Sequence, residues 1–196
     1  GLVHRDLKPG NVLIDKQGAP RVADFGLAVL ESDQRSRAGE VSGTPAYMSP
    51  EQVRGETHRL DGRCDIWAMG VMLYELLTGR KPFDGPSVYD VFDEIKHREP
   101  KPPRQIDDSI PVSLERIVQG CLTKNIAERY STARDVADDL RRSMETSLAR
   151  MEVSHGPSAA RSGSQIPIGP ANWRGESTSQ SSGARTFPRA SGRMVG

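Results

Sequence analysis

The segment that most restricts the fold of this chain runs from Asp65 to Gly79. Ile66, Trp67, Met69, Val71, Met72, Leu73, Leu76 and Leu77 cover nearly every face of a helix, and Gly79 then supplies a residue free to adopt the left-handed conformation that ends it. A helix apolar on all sides belongs in an interior, so the rest of the chain must pack around it from several directions. Its uninterrupted apolar run, Ile66 to Tyr74, stops at Glu75 and falls well short of the ~20 residues that cross a bilayer. A chain of 196 residues accommodates one such core with an appendage.

The appendage is visible as a change of composition. Residues 1–148 carry periodic apolar positions, whereas residues 149–196 are rich in Ser, Gly, Pro and Arg and hold almost no apolar clusters. Such a tail cannot bury enough surface to offset its chain entropy, and disorder is the expectation for it. From Met151 onward its five arginines, at 161, 174, 185, 189 and 193, face only Glu152 and Glu176. That excess is too sparse for nucleic-acid binding, and the whole chain, with 27 Lys+Arg against 26 Asp+Glu, has no field to attract polyanions. Function must therefore reside in a local site.

Cys64 and Cys121 lie in apolar helical stretches without CxxC or His spacing, as buried thiols in a reducing compartment do. Gly1-Leu2-Val3 runs straight into the charged His4-Arg5-Asp6, which is no secretory signal, and a cytoplasmic location is expected. With no initiator Met, the chain reads as a portion of a longer one.

The fold class expected is mainly α with a small β-hairpin. Asn11-Val12-Leu13-Ile14-Asp15, the turn-forming Lys16 to Pro20, and Arg21-Val22-Ala23-Asp24 predict the hairpin. Leu30 to Ser42 is polar and aperiodic, as a surface loop is. Further helices are expected over Val88–His97, Ser113–Leu122 and Thr132–Met144, separated by breaks such as Pro100 to Pro103.

Two polar clusters flank the hairpin. The first is His4-Arg5-Asp6-Leu7-Lys8-Pro9-Gly10-Asn11; the second is Asp24-Phe25-Gly26. Phosphoryl transfer asks little covalent chemistry of a protein: an acceptor hydroxyl must be aligned, spreading phosphate charge neutralised and magnesium held. Asp6 can accept a hydrogen bond from the hydroxyl, Lys8 can meet the charge, and Asn11 and Asp24 offer the hard oxygens magnesium prefers. The hairpin returns Asp24 toward Asn11.

These segments resemble the catalytic loop and metal-binding loop of eukaryotic-type serine/threonine protein kinases, in the style of the bacterial branch. Gly43-Thr44-Pro45-Ala46-Tyr47-Met48-Ser49-Pro50-Glu51 resembles the close of the family's activation segment, and Asp65-Ile66-Trp67-Ala68-Met69-Gly70 the start of its central helix. The resemblance implies ATP as phosphoryl donor, Mg2+ (or Mn2+) as metal, and proteins bearing Ser or Thr as substrates. By the same resemblance Asp6, Lys8 and Asn11 carry the catalytic step, Asn11 and Asp24 hold the metal, and Leu13 floors the adenine pocket. His4 braces Phe25, Asp65 holds the catalytic-loop backbone, and Glu51 pairs with Arg129. As a bland alternative, Asp65 would simply N-cap its helix. Arg5 receives a phosphate from the loop, with Ser36 or Ser42 as phosphosites and Thr44 engaged within the site.

The pattern departs from the family at Ser49, usually Ala, and around Arg129, where Asn125-Ile126 and Tyr130 replace the usual residues. The match covers only the second half of a kinase domain: there is no Gly-rich loop, strand lysine or helix glutamate that positions the nucleotide phosphates, so the chain reads as a C-terminal lobe, inactive when isolated. Gly1 to Val3 would be the last turn of a preceding helix, and a membrane span could follow the tail. The competing class is a pseudokinase or docking module, against which every catalytic position present is filled by a competent residue.

Overall fold

In the computed structural model, residues 1–30, 43–56 and 59–154 are described, forming one compact unit. The tail beyond Ser154, and Ser32, Ser36 and Ser42, lie outside them. In order come β1 (Leu2–Val3), β2 (Val12–Ile14), β3 (Pro20–Val22), β4 (Val29–Leu30), α1 (Pro50–Val53), α2 (Arg63–Thr78), α3 (Val88–His97), α4 (Val112–Cys121) and α5 (Ala133–Ser154), with 3₁₀ turns at Pro9–Asn11, Pro45–Tyr47 and Pro103–Gln105.

Helix α2 is the axis of the core. Trp67, Val71 and Tyr74 pack with Phe83, Val91, Ile95, Val118 and Leu122, while Ile66 joins Ile117, Cys121 and Val136 on a second side. Cys64 packs with Val3 and Leu60 on a third. The approach of α2 to α4 is close enough to require Gly70, where a Cβ would lie 2.6 Å from the Cys121 Cβ. Both cysteines are buried free thiols. Gly79 adopts φ 69° and closes the helix through its N–H to the Glu75 carbonyl.

The expectation of burial on every face fails on one side. Leu76 is 82% exposed, and Met69, Met72 and Leu73 line an apolar groove with Pro9, Val12, Ile14 and Leu140. Among the described residues nothing covers that face, so apolar composition alone overstates how much of the helix is enclosed.

Strand β2 pairs antiparallel with β3, with Val12 opposite Val22 and Ile14 opposite Pro20. Asp15 shapes the turn by accepting from the N–H groups of Gln17 and Ala19, and Gly18 supplies φ 81°. Leu2–Val3 is a strand, not the end of a helix, because it pairs antiparallel with Val29–Leu30. That second pair was not legible as a pattern in two-residue segments. Helix α3 has the limits expected, fixed by a capping box between Ser87 and Asp90. Helix α5 continues to Ser154, six residues past the change of composition. No helix of the described residues is long and apolar enough to cross a membrane.

Candidate active site

The first functional loop is held in an unusual backbone shape. Arg5 and Asp24 are the two non-glycine residues of positive φ among those described, at 70° and 60°. Such conformations cost of order 1–3 kcal/mol each and persist only where the surroundings impose them. Around Arg5 the restraint comes from two side chains through three hydrogen bonds. Asp65 accepts the His4 N–H at 2.8 Å on one oxygen and the Arg5 N–H at 2.9 Å on the other. The Arg5 carbonyl accepts from Gln52 Nε2 at 2.8 Å. Asp65 is the third residue of α2, whose N-cap is Gly62, so its carboxylate serves the loop and not its own helix. Burial raises the Asp65 carboxyl above the ordinary value of 3.8, and the two backbone N–H groups offset only part of that.

The restraint aims Asp6 at a defined set of partners. Its Oδ1 accepts the Thr44 N–H and the Thr44 hydroxyl, both at 2.8 Å. Its Oδ2 accepts Lys8 Nζ at 2.8 Å, and Lys8 also donates to Thr44 Oγ1 at 2.8 Å. Partial burial would push the Asp6 carboxyl up, but the hydrogen bonds from Lys8 and Thr44 outweigh it and hold the group below the ordinary carboxylate value. Asp6 is therefore a fixed anion at neutral pH.

Asn11 ends the 3₁₀ turn after this loop and is buried. Its Nδ2 donates to the Asp6 carbonyl at 2.9 Å, which leaves Oδ1 as the atom suited to a hard cation. The Asn11 carbonyl accepts the Ala23 N–H at 2.8 Å, extending the hairpin by one pair, and Asp24 follows directly after Ala23. Asp24 is exposed and accepts the Gly26 N–H at 3.3 Å. The donor set of one carboxylate and one amide oxygen fits magnesium and is foreign to a thiolate- or imidazole-preferring metal.

His4 braces this second loop. Its ring lies 5.0 Å from that of Phe25, centroid to centroid, and its Nε2 is 3.1 Å from the Ala23 carbonyl. Leu13 is 56% exposed on β2, with Val22 and Phe25 also exposed on the hairpin side, so core packing does not account for it.

Behind the site, Glu51 and Arg129 form a buried bidentate pair at 2.8 and 3.2 Å. Arg129 also donates to the carbonyls of Arg63 and Thr123, and its guanidinium lies 5.1 Å above the Trp67 ring. The substituted turn is accommodated locally. Tyr130 bonds Asp139 through its hydroxyl and lies where a Cβ on Gly120 would come within 2.6 Å of its ring.

Sequence reasoning missed Gln52 and Tyr47. Gln52 carries a findable signal: Ser49-Pro50-Glu51-Gln52 is a capping-box spacing, and Ser49 N–H and Oγ both donate to Gln52 Oε1, at 3.0 and 3.1 Å. Ser49 is thus fully buried with its hydroxyl satisfied, which explains how a polar residue replaces the usual alanine. Tyr47 donates to Glu75 Oε2 at 2.8 Å, and burial with that bond pushes its phenol up to about 12; no sequence spacing announces this pair.

The family described as protein kinase domain matches residues 1–140. Over 142 residues the chain is 40% identical to the serine/threonine-protein kinase PknB of Mycobacterium leprae, covering 71% of this chain and 22% of that protein. It is 40% identical to the probable serine/threonine-protein kinase PknB of Corynebacterium glutamicum, covering 81% and 25%. It is 38% identical to the DNA damage-responsive serine/threonine-protein kinase RqkA of Deinococcus radiodurans, covering 87% and 26%. The chain thus spans about a quarter of the length of these relatives. With its helix-rich body, its small hairpin and this match over most of its length, the chain belongs to the protein kinase domain family.

Proposed function

We propose that this chain supplies the catalytic half of a cytoplasmic serine/threonine protein kinase that transfers the γ-phosphoryl group of ATP to Ser or Thr side chains of proteins. The observation that carries the reading is the shared network of Asp6, Lys8 and Thr44, a fixed carboxylate beside a cation at the mouth of a restrained loop. Asp6 aligns the acceptor hydroxyl and takes its proton as the oxygen bonds the γ-phosphorus and the bond to the ADP oxygen breaks. Lys8, whose ammonium stands between Asp6 and Thr44, meets the charge that develops on the transferred group.

Asn11 Oδ1 and Asp24 would hold Mg2+ (or Mn2+), which when bound neutralises phosphate charge. Leu13, exposed on β2, suits an adenine ring laid against it. Arg5 would receive the phosphate of a phosphorylated Ser36 or Ser42, ordering the segment through a charge-assisted contact. The chain forms the C-terminal lobe, residues 1–148, followed by a tail from 149. The nucleotide lid and phosphate-positioning lysine come from another part of a longer protein. This rests on the sequence holding no Gly-rich loop and on relatives about four times the matched length.

The test is incubation of the full-length gene product with [γ-32P]ATP, Mg2+ and a generic protein substrate, followed by phosphoamino-acid analysis. Phosphoserine or phosphothreonine, absent with Asp6→Asn, supports the reading. Absence of transfer by the full-length protein, or label on tyrosine alone, refutes it.

A further inference from the structure

One turn beyond Thr44, the partner of Asp6, the chain carries an aromatic ring with a cation on its face that the transfer step does not use. Thr44, bound to Asp6, is followed by one 3₁₀ turn, closed by the Tyr47 N–H to the Thr44 carbonyl, so Tyr47 lies roughly 6 Å from Thr44 along the turn axis. The Tyr47 ring is fixed at one end by its hydroxyl bond to Glu75. Against its face rests Lys81 Nζ, 5.6 Å from the ring centroid. Lys81 and its neighbour Arg80 are exposed, and among the described residues neither forms an ion pair. Glu75 accepts the Tyr47 hydroxyl and Asp84 the Gly85 N–H at 2.9 Å, and neither forms an ion pair with Lys81 or Arg80.

An ammonium seated on an aromatic face loses less mobility on pairing than one on a free stem, and it attracts carboxylates without needing a rigid geometry. From these contacts we infer that Lys81, assisted by Arg80, selects protein substrates with an acidic side chain close to the phosphorylated Ser or Thr. An extended polypeptide rises about 3.3 Å per residue, which sets the favoured acid within roughly three to five residues of the acceptor. This inference rests on the proposed kinase activity and deepens it.

The experiment is a positional peptide library, scanned over five positions on each side of a Ser/Thr acceptor, phosphorylated by the full-length protein and by its Lys81→Glu and Lys81→Arg variants. The wild type is expected to favour Glu over Lys by about two- to fivefold at one or two positions, the range of an exposed ion pair. Lys81→Arg keeps that preference, and Lys81→Glu inverts it there while the ranking at the remaining positions persists. A wild-type profile without acidic preference, or one that Lys81→Glu leaves unaltered, overturns the inference while the kinase reading stands. Failure to phosphorylate any pool overturns both.

Discussion

The pair of Glu51 and Arg129 offers a quantitative test of how the region behind the site is held. Both side chains are almost wholly buried, and the two bonds between them are 2.8 and 3.2 Å long. Breaking a buried pair from one side typically costs about 3–5 kcal/mol, because the survivor is left charged without compensation. The structure ranks the two sides. Replacing Glu51 by Gln leaves Arg129 with the carbonyls of Arg63 and Thr123 and the face of Trp67, and retains an acceptor of the same shape. That change belongs at about 3 kcal/mol. Replacing Arg129 by Met strands the Glu51 carboxylate and uncovers two carbonyls, which belongs at about 5 kcal/mol. Thermal unfolding of the full-length protein, followed by tryptophan fluorescence, should show melting lowered by about 6–12 °C for Glu51→Gln and more for Arg129→Met. The double variant should cost less than the sum of the singles, since neither charge is then stranded. A single variant within about 1 kcal/mol of the parent would refute the reasoning.

Other expectations concern the loop itself. Thr44→Val removes a hydroxyl from both Asp6 and Lys8 and should lower kcat by at least tenfold in a phosphotransfer assay, whereas Thr44→Ser should retain most of it. Gly70→Ala forces a methyl to 2.6 Å from the Cys121 Cβ and should cost about 1–3 kcal/mol in denaturant unfolding. Asp6 titrates below its ordinary 3.8, so the stability it contributes is complete above that pH and is lost as pH falls through its folded value. Asp6→Asn should therefore flatten the decline of stability measured below pH 4.

What could be read from the residues, and what could not, follows from the range of the interactions. The hairpin, α3 and the Gly79 cap are local: Asp15 and Gly18 dictate one turn, Ser87 and Asp90 one start, and Gly79 one stop. The contact of Asn11 with Asp6 was also accessible, since it lies five residues further along one loop, as was the hairpin that returns the Ala23 N–H to the Asn11 carbonyl. Contacts spanning long stretches of chain were not. Gln52 reaches the Arg5 carbonyl across 47 residues, and nothing in either segment's composition predicts it. Tyr47 finds Glu75 in the same way. The exposure of Leu76 is a different failure, because a pattern of apolar residues states which faces avoid water and not whether a neighbour is at hand to cover them.

The division of labour between the two aspartates is the centre of the account, and nucleotide affinity measured beside turnover tests it most directly. In the full-length protein, calorimetric titration of ATP with Mg2+ and single-turnover transfer would be compared for Asp6→Asn and Asp24→Asn. Asp6→Asn is expected to bind the magnesium nucleotide about as tightly as the parent yet lose transfer by about 10²–10⁴-fold, whereas Asp24→Asn is expected to lose metal-dependent binding itself. Equal affinity in Asp24→Asn and the parent, or transfer undiminished in Asp6→Asn, would contradict it.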